Sequence, residues 1–136
     1  MTDAAAYVSE RQGQPYSAER HCWTLVRETQ RDLFGRDVPE ILISGPLNAL
    51  ELVRAFNRRH DHPERRNWQE TTLPRDGAIV LMSKPGGGSR AIHAGTYLNL
   101  DLGGVFHTDA DHGVTFDSLF DLALRNWRCE FYTPIR

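Results

Sequence analysis

The chain is poor in cysteine, nearly without lysine, and free of long apolar runs. Cys22 and Cys129 are the only cysteines in 136 residues, too few for a disulfide scaffold. They could pair, or each could stay free as a thiol in a reducing cytosol. Lys84 is the single lysine among 16 basic side chains, which 18 acidic ones outnumber for a net charge of −2. That balance argues against a dedicated nucleic-acid binder, which carries a basic excess. No apolar stretch approaches the roughly 18–20 residues that cross a bilayer, so no membrane span is expected. Residues Met1–Glu10 carry neither a basic n-region nor an apolar h-region. The chain is therefore read as made in the cytoplasm without a signal peptide.

What is present fits one globular domain. Hydrophobic residues make up 40% and charged residues 25%, an ordinary soluble balance. A chain of this length can bury about two-thirds of its unfolded surface, enough for a core without staples.

The pattern along the chain is helices first, then strands. Thr2–Glu10 is Ala-rich and reads as a short helix, and Arg11–Ser17 is a loop marked by Gly13 and Pro15. The strongest helix runs from about Arg20 to Phe34, with Trp23, Val26, Gln30 and Leu33 on one stripe that Leu25 and Thr29 widen. Gly35 and Pro39 end it. A second helix is expected over Pro46–Arg59, from Ser44 as cap and an apolar face of Leu47, Leu50, Val53 and Phe56. His60–Pro74 reads as a polar loop, so 46–73 forms a helix–loop insert. Arg58, Arg59, Arg65 and Arg66 fall there among acidic residues, which reads as a solvated face. Ala78–Met82 is a continuous apolar run, as in a buried strand, and Lys84–Arg90 is a turn. Ile92–Leu98 is a second strand, and Val105-Phe106-His107 begins a third after the loop Asn99–Gly104. Asp117–Asn126 suggests a short helix, and Trp127–Thr133 a closing strand. Segregated helices and mostly antiparallel strands make this an α+β fold.

Three residues stand out chemically. Cys22 lies at the start of a helix, where free N–H groups and a partial positive charge favour a thiolate. His93 begins a strand beside the small residues Ala94 and Gly95, which leave room for another side chain, and it can serve as a general base for a thiol. His107, on a neighbouring strand, can orient His93 through the nitrogen opposite the thiol, with Asp109 as the runner-up for that role. Taken singly, a buried Cys and two strand histidines are more often packing or surface residues. Metal readings are weaker. His60-Asp61-His62 lacks the second pair of a zinc site. Asp109–Gly113 hints at a calcium loop without its spacing or distal Glu. Gly86–Gly88 is no phosphate loop. No metal and no cofactor is expected.

Together these segments resemble the NlpC/P60 family of cysteine peptidases, over a span from about Gly13 to the end. Gly13-Gln14-Pro15-Tyr16 is similar to the family's G-x-P-Y segment. His21-Cys22-Trp23-Thr24-Leu25-Val26-Arg27 resembles its D-C-x-G-L-V-R helix start. Phe34-Gly35 with Val38-Pro39 resembles the helix exit of phage-tail members. Pro74–Met82 resembles the P-G-D-hydrophobic strand, and Ile92–Tyr97 resembles H-V-G-I-Y. Val105-Phe106-His107 resembles the strand that ends in the third catalytic residue.

The resemblance implies a papain-like fold, with N-terminal helices packed on an antiparallel sheet. It implies Cys22 as nucleophile, His93 as base and His107 as its orienting group. Tyr16 and the N–H of Cys22 would lie at the oxyanion site. The implied substrate is a peptidoglycan stem peptide cut beside D-glutamate or diaminopimelate. The implied setting is a phage tail or prophage, with tail proteins as partners and delivery to the wall by a virion or by export. Thr24 stands where the family has Gly. His21, where it has an Asp that could cap the helix or hold a substrate amine, and Asp76-Gly77, which reverses its G-D pair, also depart from its pattern. These departures keep open a catalytically silent wall-binding or tail-assembly module. A CHAP-type amidase is the near alternative within thiol chemistry.

Overall fold

Helix α1 (Ala4–Arg11) is capped by Asp3, whose carboxylate accepts from the N–H of Ala5 at 3.1 Å. It buries Tyr7 and Val8. The Tyr7 hydroxyl donates to Asp32 at 2.8 Å, and Arg11 lies 3.6 Å over the Tyr7 ring. These contacts tie α1 to α2 (Cys22–Phe34), the helix expected from about Arg20. The computed structural model describes residues 3–17, 20–38, 67–85 and 93–135. The helix expected over 46–59, the arginines at 58–66, His60, His62 and the glycines at 86–88 lie outside the described residues.

The buried stripe of α2 holds Cys22, Trp23, Leu25, Val26, Thr29 and Gln30, close to the stripe read from the periodicity. The helix ends on Gly35 in the left-handed region (φ 65°), with Gly35 N–H on Arg31 O and Arg36 N–H on Gln30 O. A side chain at Gly35 would strain that turn. Buried Gln30 is satisfied: its amide donates to Gly77 O at 2.9 Å and its oxygen accepts from Arg36 at 3.0 Å. This pins the end of the helix to the turn before the central strands.

Among the described residues six strands follow: β1 (Trp68–Thr71), β2 (Ile79–Ser83), β3 (His93–Leu98), β4 (Gly104–Asp109), β5 (Gly113–Ser118) and β6 (Arg128–Pro134), with α3 (Leu119–Leu124) before the last. They form one sheet in the order β1-β6-β2-β3-β4-β5, every neighbouring pair antiparallel. The α+β class expected from the sequence is the one observed.

Two strands correct the sequence reading. β1 falls within the stretch 60–74 that reads as loop. Only Trp68 of its four residues is buried, so alternation is too short to show, and pairing with β6 creates the strand. β5 occupies 113–118, and the helix expected from Asp117 starts only after Ser118, whose hydroxyl accepts from Asp121 N–H. Asp117 is therefore a strand residue.

β2, β3 and most of β4 are buried on both faces, as central strands covered twice must be. On one face α1 and α2 pack against Ile79, Leu81, Ala94, Leu98 and Phe106. On the other, α3 and Trp127 cover Val80, Met82, Tyr97 and Val105. Each large side chain fully withdrawn from water here, Trp23 and Phe106 among them, contributes roughly 1.5–3 kcal/mol.

Candidate active site

Cys22 is the first residue of α2, and its N-cap, His21, is extended and makes no side-chain capping bond. The backbone N–H groups of Cys22 and Trp23 turn to the thiol, joined by that of Ala94 from β3. The ladder between β3 and β4 explains the third donor. It runs from Leu98↔Gly104 to Thr96↔Phe106 and stops before Ala94, so that N–H serves the sulfur instead of a strand carbonyl. The thiol thus sits at an opening between β3 and β4.

Side chains alternate along a strand, so Ala94 faces α2 and His93 leaves from the opposite face, register partner of Met82. His107 lies on that same face. The two rings join across the opening, His93 Nε2 to His107 Nδ1 at 2.7 Å, with centroids 4.9 Å apart. His107 Nε2 meets Asp117 Oδ2 at 2.8 Å, and Arg125 Nη2 meets the same oxygen at 2.7 Å. Trp127 stacks on the outer face of His93 (5.5 Å, 30°), with Lys84 Nζ 4.5 Å from the centre of the indole. His93 and His107 are 6% and 0% exposed. The result is a chain of two buried imidazoles and a partly exposed carboxylate.

The electrostatics differ from the sequence expectation at one point. A helix N-terminus favours a thiolate, and three N–H groups do serve the sulfur. Burial outweighs them and pushes the Cys22 thiol up to about 11, because desolvation penalises the charged form. His93 is driven the other way, to about 3, first by burial and then by the neighbouring His107. The resting pair is therefore a neutral thiol and a neutral imidazole. Burial also works against the Asp117 carboxylate. The His107 hydrogen bond and Arg125 outweigh it and hold the group below its ordinary value.

No known protein family, curated protein or solved structure matches the chain. The site is read from its own geometry.

Tyr16 shares the neighbourhood of the thiol. Residues 13 and 14 are laced to Val114 of β5 by two backbone bonds, which carries Tyr16 toward the start of α2. Burial raises its hydroxyl pKa, and the neighbouring Cys22 and Asp109 raise it further. Asp109 in turn feels His107 and His93. His21 approaches Thr24, Nε2 to Oγ1 at 3.5 Å, and stays on the helix start. Asp109, the runner-up orienting group, is not the partner of His107. Its carboxylate accepts from the N–H groups of Asp111 and His112 and closes the β4–β5 turn, the stretch that hinted at a calcium loop. Cys129 packs on the α3 face and Cys22 on the α2 face; both are free.

Asp117, Arg125 and Trp127 are the members that sequence reading missed. Asp117 stands opposite Val105 in the β4–β5 register and diagonal to His107, within reach of a long side chain. The alternation of Val114 and Phe116 with Thr115 and Asp117 was the available signal.

Gly95 makes the chain possible. A Cβ there would lie 2.6 Å from Val105 Cγ1 and 2.9 Å from both His107 Cβ and Phe106 O. Gly95→Ala should cost roughly 1–3 kcal/mol by overpacking. It should also shift the ring resonances of His107, as urea unfolding and NMR would show. An unchanged midpoint and unchanged shifts would remove this account of Gly95.

Proposed function

We propose that the protein is a thiol hydrolase with Cys22 as nucleophile. The observation that carries the reading is the His93–His107–Asp117 chain, which begins one residue before Ala94, whose N–H serves the Cys22 thiol. In this mechanism His93 takes the thiol proton as sulfur attacks a peptide carbonyl. Because the resting pair is neutral, proton transfer belongs to the attack step. The backbone N–H of Cys22 and the Tyr16 hydroxyl donate to the oxyanion. His107 and Asp117 stabilise the imidazolium that forms. His93 then returns the proton to the leaving amine, whose C–N bond breaks to leave a thioester. Water, deprotonated by His93, attacks the thioester, releases the acid and restores the thiol.

The NlpC/P60 resemblance supplies the substrate class: a peptidoglycan stem peptide, cut beside D-glutamate or diaminopimelate, in a phage-tail or exported setting. A helix that begins with the cysteine and packs on an antiparallel sheet carrying both histidines supports the papain-like form of that family. A CHAP-type amidase would use the same chemistry on a different wall bond. His21, where the family has Asp, lies at the helix start and would meet the substrate there.

The buried, high-pKa thiol favours a second reading, a silent wall-binding module. One experiment separates them. Purified sacculi and synthetic stem peptides are incubated with wild-type protein, Cys22→Ala and His93→Ala, and new amino termini are counted. Hydrolysis should fall by about a thousandfold or more without the nucleophile. Sacculi that pellet the protein yet release nothing would establish the silent module instead.

A further inference from the structure

We infer that Asp117 and Arg125 are positioning residues that set the direction of the hydrogen-bond chain and leave Nδ1 of His93 as its basic nitrogen. The inference rests on the reading of His93 as the base for Cys22 and deepens it. A carboxylate only accepts hydrogen bonds, and a guanidinium only donates. Asp117 Oδ2 faces His107 Nε2 at 2.8 Å, so Nε2 must carry the hydrogen. At a pH where His107 is neutral its ring has one N–H, so its Nδ1 is then a lone pair. That lone pair lies 2.7 Å from His93 Nε2, which must then be the N–H. The lone pair of His93 falls on Nδ1. One acceptor on β5 thus dictates the tautomers of two rings in sequence.

Arg125 guards this arrangement in a second way. It follows α3 and contacts the same oxygen, Oδ2, at 2.7 Å. The contact is an ion pair and not an aligned hydrogen bond, so whatever atom stands at that place must face the positive charge of Arg125 as well as His107. A carboxylate meets the demand by its charge. An amide at 117 would meet it only with its oxygen turned inward, because its NH2 end would confront a donor. Either member of the pair is therefore enough to keep the chain pointing one way, and the loss of both frees it. Trp127 on the outer face of His93 keeps the ring from turning over.

The test reads tautomers directly and uses no substrate. Ring nitrogen shifts of His93 and His107 are measured by long-range proton–nitrogen NMR at about pH 8.5, where a histidine of ordinary pKa near 6.5 is neutral. Wild-type protein, Asp117→Asn, Arg125→Met and the double variant are compared. In wild type, His93 Nδ1 should have the shift of an unprotonated nitrogen and Nε2 that of an N–H. Both single variants should keep this pattern. The double variant should show both tautomers of His93 in exchange. A wild-type His93 protonated on Nδ1 overturns the inference, and that spectrum needs no variant to fold. A double variant that keeps the wild-type pattern overturns it too, as does inversion in Asp117→Asn alone, where Arg125 should hold the amide oxygen. If sacculi are not cut but the tautomers behave as described, the hydrolase reading falls and the ordering of the chain stands.

Discussion

Iodoacetamide should label Cys22 about tenfold more slowly than an ordinary thiol at neutral pH, with a rate that climbs about tenfold per pH unit. Burial moves the thiol from its ordinary 9.0 to about 11, so the thiolate is about a hundredfold scarcer at pH 7. The more basic thiolate is also more nucleophilic. A Brønsted coefficient of about 0.4–0.5 returns about tenfold of the loss. At 7% exposure access slows the reaction further. Cys129, also pushed to about 11 by burial but with more of its surface open, is the internal comparison. It should follow the same pH course at a higher rate. His93→Ala should leave the pH course of Cys22 labelling unchanged, since a neutral imidazole holds no thiolate in place. Rapid labelling below pH 7 that vanishes without His93 would mean a thiolate–imidazolium pair and would falsify the neutral resting state. The rates are read by mass spectrometry of peptides from the native protein.

Elements whose pattern is local were legible in the sequence. Helix α2 declares itself by its stripe and by Gly35. The apolar run at 78–82 becomes β2, and the histidine contexts lead to β3 and β4. β1 and β5 were hidden because their reasons are not local. Gln69 and Glu70 are exposed, and only the pairing with β6 makes that segment a strand. In β5 the polar turn before it resembled an ion loop, and α3 after it drew Asp117 into a helix. The site divides in the same way. Cys22, His93 and His107 carry recognisable contexts. Asp117 and Arg125 join the chain only through register and the course of α3. The sign of the thiol shift was also out of reach. A sequence shows a helix start with its N–H groups, but not the depth at which the sulfur is buried, and here depth decides.

Acid should destabilise the protein well before its carboxylates titrate, and His93 should be the cause. The folded state holds this ring near a pKa of about 3, against an ordinary 6.5. Burial does most of this, helped by the neighbouring His107 and by Arg125 and Lys84, and opposed by Asp109. The unfolded chain takes up the proton as pH drops through 6.5 while the folded protein refuses it. The contribution is thus complete above that pH and is lost as pH falls toward the folded value. The slope is about 1.4 kcal/mol per pH unit, or about 3 kcal/mol between pH 6.5 and 4. That is a large part of the roughly 5–15 kcal/mol that holds a domain folded. Asp32, Asp109 and Asp117 also have lowered values. Their stabilisation fades only as pH falls below about 4, the unfolded carboxylate range, so the upper window belongs to histidine. Urea unfolding of wild type and His93→Gln across this window separates the ring from everything else that titrates. The variant should be the less stable protein at neutral pH, because it breaks the bond to His107. Its deficit should shrink by about 3 kcal/mol by pH 4, since glutamine has no proton to take up. Two curves that stay parallel from pH 7 to 4 would mean that His93 titrates alike in folded and unfolded chains, and the buried imidazole chain would have to be abandoned.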